Sequence, residues 1–170
     1  MSSKNDNPVS CLAAFNMEEK LINMNNAREE NQRLRMQMSQ ENKVCIFCEK
    51  GLKEIHKLPI LHQNKTFLVT DNAFPYSGTN HHVLIIPKKH ISNVEEIDID
   101  SWVDLKEMID WVVEERKIPG ASLFLRFGDS RFTCSSLSHL HFQIIVGNSS
   151  QEEQKENREV LSVPLGWKKK

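Results

Sequence analysis

The run from Ser135 to Ile145, SSLSHLHFQII, carries two histidines and a glutamine at alternate positions. In a strand, side chains alternate between faces, so His139, His141 and Gln143 share one face and Leu140, Phe142 and Ile144 share the other. The apolar set belongs to a core. The polar set offers a nucleophile or base, a metal ligand and a neutral hydrogen-bonding amide. The plain alternative for an HxH pair is two half-buried surface histidines. Cys45 and Cys48, in CIFC, have the spacing of a knuckle that gives zinc two tetrahedral thiolate positions. No second CxxC follows, so further ligands come from among the seven histidines. A thioredoxin-like redox pair is the rival reading, and the βαβ context it needs is missing from the pattern. The segment from His82 to His90, HVLIIPKKH, reads as a buried strand stopped by Pro87, with a histidine three residues later.

Those groups must be positioned by elements, and the sequence suggests which. Short β-branched and apolar runs predict strands at Thr66–Thr70, His82–Ile86, Ser122–Phe127 and His139–Val146, the last stopped by Gly147 and Asn148. Trp102, Leu105, Met108, Ile109, Val112 and Val113 recur at helical spacing, with Ser101 as the expected N-cap and Pro119–Gly120 as the stop. Several strands and one substantial helix imply an α+β domain, a largely antiparallel sheet with that helix packed on one face. Residues 1–42 differ. The stretch from Asn16 to Asn42 has neither Gly nor Pro, and Leu12, Phe15, Leu21, Ile22 and Met24 form only a narrow apolar stripe. A helical or partly disordered extension without chemistry of its own is expected there. Residues 43–147 form the main domain, and 148–170 a polar linker (Ser149 to Arg158) with an apolar docking stretch, Val160 to Trp167.

Composition narrows the class. The 170 residues are 39% hydrophobic and 26% charged, the balance of a soluble globular domain. A net charge of −1 offers no bulk attraction to nucleic acid, and no apolar run approaches the ~20 residues that cross a bilayer. Cys11 and Cys134 stand alone, and four cysteines without a secretory signal do not suggest a disulfide framework. A cytoplasmic, soluble protein is expected, with neither membrane nor nucleic acid as partner.

CIFC, HVLIIPKKH and SLSHLHFQII, in that order and spacing, resemble the histidine triad (HIT) superfamily of nucleotide-binding hydrolases and transferases. The resemblance runs from about Lys43 to Gly147 and implies a HIT-like fold, a nucleotide or dinucleotide substrate and a homodimer. It implies a structural zinc on Cys45, Cys48, His90 and His139, with His141 as the nucleophile. Ser136 matches the family's serine near the leaving oxygen, although Cys134 and Ser135 replace its usual Gly-Gln. The third triad position is Gln143, similar to the branch of galactose-1-phosphate uridylyltransferase and some dinucleotide phosphorylases. That implies nucleotidyl transfer or phosphorolysis, with polyphosphate or phosphoramidate hydrolysis and a non-catalytic nucleotide-binding protein as alternatives. His82 and His139 match substrate-lining positions, and Asn72, in NAFPY, matches a ribose-contacting position, although two extra residues separate that segment from His82. Lys88, Lys89, Arg126 and Arg131 are candidate phosphate contacts or plain solvated charges, and Trp167 a candidate wall of the pocket across a dimer.

Overall fold

The computed structural model describes residues 21–148 and 159–168. Cys11, the apolar positions Leu12 and Phe15, and the expected linker Ser149 to Arg158 lie outside the described residues. Strands β1 (Ile60–Gln63), β2 (Phe67–Asp71), β3 (Thr79–Pro87), β4 (Ser122–Arg126) and β5 (His141–Gly147) form one antiparallel sheet in the order β1-β2-β3-β5-β4. The long β3 and β5 pair at its centre, where both faces are covered, and so Val83–Ile86 and Ile144–Val146 read as continuous apolar runs. Helix α3 (Ile99–Glu115) lies on one face over Phe67, Val69, Val83, Ile85, Phe142 and Ile144. Each such fully buried apolar side chain contributes about 1.5–3 kcal/mol.

The other face is built differently. It carries Leu68, Leu84 and Ile86, covered by Ile22, Met36, Ile46, Phe47, Leu52 and Ile55. These come from the N-terminal segment with helix α1 (Glu30–Asn42), from the CIFC knuckle and from helix α2 (Glu49–Gly51 continuing through a π turn, Leu52–His56). Helix α1 is almost wholly polar but buries Met36 and Ser39, and Lys43 ends it in the left-handed conformation. The segment before it is stitched to the loop that precedes β5. Ile22 bridges Leu137, Asn23 N donates to Ser136 O at 3.0 Å and Ser138 N donates to Leu21 O at 3.1 Å.

The structure corrects several expectations. Strand β1 is an additional strand; it is short, follows Pro59 and has an irregular register between Ile60 and His62, so neither run length nor alternation marks it. Helix α3 begins earlier than the apolar spacing suggests, because Asp98 rather than Ser101 is the N-cap, its carboxylate accepting from Ser101 N at 2.7 Å. Trp102 and Val113 remain substantially exposed. His139 precedes β5 rather than opening it. Leu140 N there bonds Ile91 O at 2.7 Å, so the backbone joins the loop after β3 instead of the sheet ladder.

Gly51 makes the knuckle compact. A Cβ at this position would lie 1.9 Å from Cys45 O and 2.7 Å from Ile46 Cα, both backbone atoms that cannot rotate away. Gly51→Ala is therefore expected to lower stability by about 3 kcal/mol, as severe overpacking does. The urea midpoint of the variant measures this, and an unshifted midpoint would show that the knuckle yields freely.

Candidate active site

Strand register sets the site. Arg126 lies directly opposite His141, while Phe124 and Leu84 flank Gln143. These positions belong to the face turned away from α3, and with α1, the knuckle and the C-terminal stretch they surround a cavity of about 300 Å³. His141, Gln143, Ser136 and Asn72 line it together, as do Arg28, Gln32, Arg35, Phe47, His56, Tyr76, Arg126 and Trp167.

The orientation of His141 follows from one hydrogen bond. Its Nδ1 lies 2.9 Å from His139 O, and a carbonyl only accepts, so Nδ1 carries the proton and Nε2 keeps its lone pair for the cavity. Burial, ahead of the nearby Arg126 charge, holds its pKa down to about 4. The imidazole is thus neutral near pH 7. Phe47 packs edge-on against it, ring centroids 5.1 Å apart.

Gln143 is oriented by a similar chain of constraints. Tyr76 N donates to His82 Nδ1 at 3.2 Å, which places the His82 proton on Nε2; Nε2 lies 3.0 Å from both Gln143 Oε1 and Asn72 Nδ2, and only the Gln143 oxygen can accept it. Burial is the main cause holding the pKa of His82 at about 4, which keeps this neutral tautomer. The amide oxygen of Gln143 is therefore engaged, and its buried Nε2 has no hydrogen-bond partner. Tyr76 stacks on His82 with centroids 4.9 Å apart and accepts from Arg126 Nη2 at 2.8 Å. Arg126 also donates to Pro164 O, while its buried Nε has no partner. It is 8% exposed and pairs with no carboxylate among the described residues. A buried cation with no carboxylate beside it, and two buried donors without acceptors (Arg126 Nε and Gln143 Nε2), suit a bound anion near His141.

Behind the nucleophile candidate, Cys45, Cys48, His90 and His139 offer ligand atoms that all lie within 4.8 Å of one another. His139 Nδ1 is 3.3 Å from Cys45 Sγ and 3.7 Å from Cys48 Sγ, and His90 Nδ1 is 3.4 Å from Cys48 Sγ. A tetrahedral zinc with ordinary bond lengths needs sulfur–nitrogen edges of roughly 3.6 Å, so the set fits a metal ion. His139 Nε2 lies 2.9 Å from Pro87 O, which fixes its proton there and leaves Nδ1 as the ligand. A hydrogen bond with Cys45, then burial, push the Cys48 thiol pKa up. Two crowded sulfurs of this kind become thiolates together only beside a cation.

Other sequence candidates are placed as follows. His139 and His82 stand behind the cavity rather than on its wall. The side-chain oxygen of Asn72 accepts from Phe74 N at 2.9 Å, closing a local turn at the cavity edge. Lys88 donates to Asn64 O and Arg131 is paired with exposed Asp129, and neither of them, nor Lys89, lines the cavity. Trp167 lines the cavity of its own chain. Sequence reasoning missed Arg28, Gln32, Arg35 and His56. The only signal was that three of them recur on one side of a polar helical segment.

A family model described as scavenger mRNA decapping enzyme C-term binding matches residues 44–159. Among curated proteins none matches. A solved HIT-like protein is 26% identical, with a TM-score of 0.50 over 59% of this chain and 96% of its own. A histidine triad protein from Clostridium difficile is 22% identical, with a TM-score of 0.51 over 65% and 96% of the two chains. A hypothetical histidine triad nucleotide-binding protein from Sulfolobus tokodaii is 24% identical, with a TM-score of 0.50 over 74% and 82%. These last two share the fold. The family match spans more than half of the chain, which therefore belongs to the scavenger mRNA decapping enzyme C-term binding family and to the histidine triad superfamily.

Proposed function

We propose that the chain is a nucleotidyltransferase or phosphorylase working through a covalent nucleotidyl-histidine at His141. The observation that carries this is the Nδ1 bond to His139 O, which aims a neutral imidazole Nε2 into a cavity lined by unpartnered cationic and amide donors. In the first step the Nε2 lone pair attacks the α-phosphorus of a nucleotide phosphoanhydride or phosphoester. The bond from phosphorus to the leaving oxygen breaks, and its electron pair departs with that oxygen. Ser136 Oγ is the donor for the leaving oxygen, and Gln143 Nε2 and Arg126 Nε are donors for the non-bridging oxygens as they gain charge. The ring becomes cationic while bonded to phosphorus, and the His139 carbonyl holds its remaining proton. In the second step an acceptor oxygen attacks the phosphorus, the P–N bond breaks and His141 returns to its neutral form. His82 is a positioning residue that turns the Gln143 amide toward substrate, and Asn72 is the candidate ribose contact. An amide at position 143 cannot exchange protons as an imidazole could, which favours phosphate or a sugar phosphate as acceptor over water.

His141→Ala is expected to lose at least 1,000-fold in kcat, on the order of the loss when a covalent nucleophile is removed. Intact mass after rapid quenching should show one nucleoside monophosphate added to wild type and none to the variant. Near-normal turnover in the variant would sink the assignment.

Protonation removes the attacking lone pair, so kcat/KM should hold from neutral pH downward and fall only near pH 4. His56, His82 and His141 each sit at about 4 in the folded chain. The unfolded chain takes up these protons at about 6.5, so stability should fall as pH drops through the window between the two values. An acid limb in kcat/KM at pH 6.5 with an unshifted urea midpoint would contradict a buried neutral His141.

Cys45, Cys48, His90 and His139 are the proposed zinc ligands. Four protein ligands close the coordination sphere, so the ion would tie the knuckle to the start of β5 and take no part in the chemistry. Elemental analysis should find one zinc per chain in wild type and His141→Ala, and far less in Cys48→Ser. Chelation should lower Tm by about 10 °C, the shift for roughly 3 kcal/mol in a chain of this size. Full zinc retention by Cys48→Ser would overturn this ligand set.

A further inference from the structure

The family match begins at residue 44, yet part of the cavity wall comes from earlier in the chain. Arg28, Gln32 and Arg35 line the cavity from the segment that leads into and forms α1. This wall is firmly placed. Asn26 Nδ2 donates to Ser135 O at 2.7 Å, the Ile22–Leu137 bridge holds its start, and Met36 is buried against the sheet. Each arginine lies over an aromatic ring of the β2–β3 connection. Arg28 Cζ is 4.2 Å from the Tyr76 ring centroid and Arg35 Cζ is 5.0 Å from that of Phe74. Arg28 donates to Phe74 O and Arg35 donates to His56 O at 2.8 Å. A stacked guanidinium with one such bond keeps most of its five N–H groups for an oxyanion.

Charge leaves these groups uncompensated. Neither arginine pairs with a carboxylate among the described residues, and with Arg126 they line a cavity that no described Asp or Glu lines. The whole chain carries a net charge of −1, so this concentration of positive charge is local to the cavity. Their field is felt inside it. Arg28 helps to hold down the pKa of His82 and Arg35 that of His56, in each case after burial. Gln32, between the two arginines, donates to Ser136 Oγ at 3.4 Å, so this wall adjoins the candidate leaving-group donor.

We infer that Arg28 and Arg35 are specificity-determining residues that bind a second phosphate on the leaving side of the substrate, and so select a leaving group that carries phosphate over a neutral one. This rests on the nucleotidyl-histidine reading above. It differs from that reading in its residues, which stand outside the matched domain, and in what they select. Charge-assisted bidentate bonds from a guanidinium to phosphate are the strong members of their class. A neutral amine leaving group would offer neither arginine an anion, leaving each with only its carbonyl contact.

The test compares the full-length wild type with the double variant R28Q/R35Q and with R33Q, which removes a positive charge from α1 at a position off the cavity wall. Two substrates sharing an adenosine 5′-phosphoryl group are used, diadenosine tetraphosphate and adenosine 5′-phosphoramidate. The ratio of their kcat/KM values should fall at least tenfold in R28Q/R35Q and stay within twofold of wild type in R33Q. An unchanged ratio in the double variant, or an equal fall in R33Q, overturns the inference. If wild type turns over neither substrate, the covalent reading is what has failed, and binding of inorganic tripolyphosphate then reads the arginines alone. Wild type should bind it at least tenfold more tightly than R28Q/R35Q, with R33Q like wild type. Equal affinities in wild type and the double variant, with unchanged Tm, would overturn the assignment of these residues.

Discussion

His139 is held at three places, and the site depends on that restraint. Its Nδ1 faces the cysteine sulfurs, its Nε2 faces Pro87 O, and its main-chain carbonyl faces His141 Nδ1. A residue so fixed gives His141, two positions on, a carbonyl of defined direction. That carbonyl decides which ring nitrogen of His141 holds a proton. The Cys/His cluster thus bears on the catalytic candidate without touching the cavity, because it locks the residue that supplies the acceptor. Gly51 extends the dependence outward, since only a residue without Cβ lets α2 close against the Cys45 carbonyl and bring the thiols to the imidazoles.

The sheet divides its two faces between stability and chemistry. Under α3 the packing is apolar, from Phe67 through Val112 to Leu140. On the opposite face Arg126, Tyr76, His82 and Gln143 form a connected polar chain with little solvent contact. Burying such groups is costly unless they are hydrogen-bonded, and most of their polar atoms are. The exceptions are Arg126 Nε and Gln143 Nε2. Arg126 is the register partner of His141 and Gln143 stands two residues further along the same strand, so the unmet hydrogen-bonding capacity of this polar chain lies beside His141. A site organised before substrate arrives spends little reorganisation when charge develops.

Much of this was legible in the sequence, for identifiable reasons. Alternation in HLHFQII separates core from cavity side chains, and it held for His141, Gln143, Phe142 and Ile144, which lie within β5. It also held for Leu140 in the core, but His139 precedes the strand, because the N–H of Leu140 bonds Ile91 O, and the His139 ring turns to the cysteines behind the cavity. The CIFC knuckle and His90 come together as their chemistry suggests. The N-terminal wall was not legible, because amphipathicity detects helices that bury an apolar stripe, and α1 buries chiefly Met36 and Ser39. Its place is set by backbone bonds to the loop at residues 135–138, and no local pattern encodes a partner more than 100 residues away. The α3 start was misread because Ser101 is one residue type among several that cap helices, and the better acceptor, Asp98, stood upstream of the apolar spacing.

Positive charge and neutral histidine are linked in this cavity. Arg126 beside His141 opposes protonation of the imidazole, and Arg28 and Arg35 act likewise on His82 and His56. An anion that binds the arginines cancels that opposition as the reaction begins, and a nucleophile kept neutral by charge alone would then gain a proton and lose its lone pair. For His141 burial is the larger cause and the arginine the smaller. Phe47 against its ring and a location between β3 and β4 supply that burial, and neither depends on a bound anion. The aromatic contact and the strand placement thus keep the His141 imidazole neutral whether or not an anion meets the arginines.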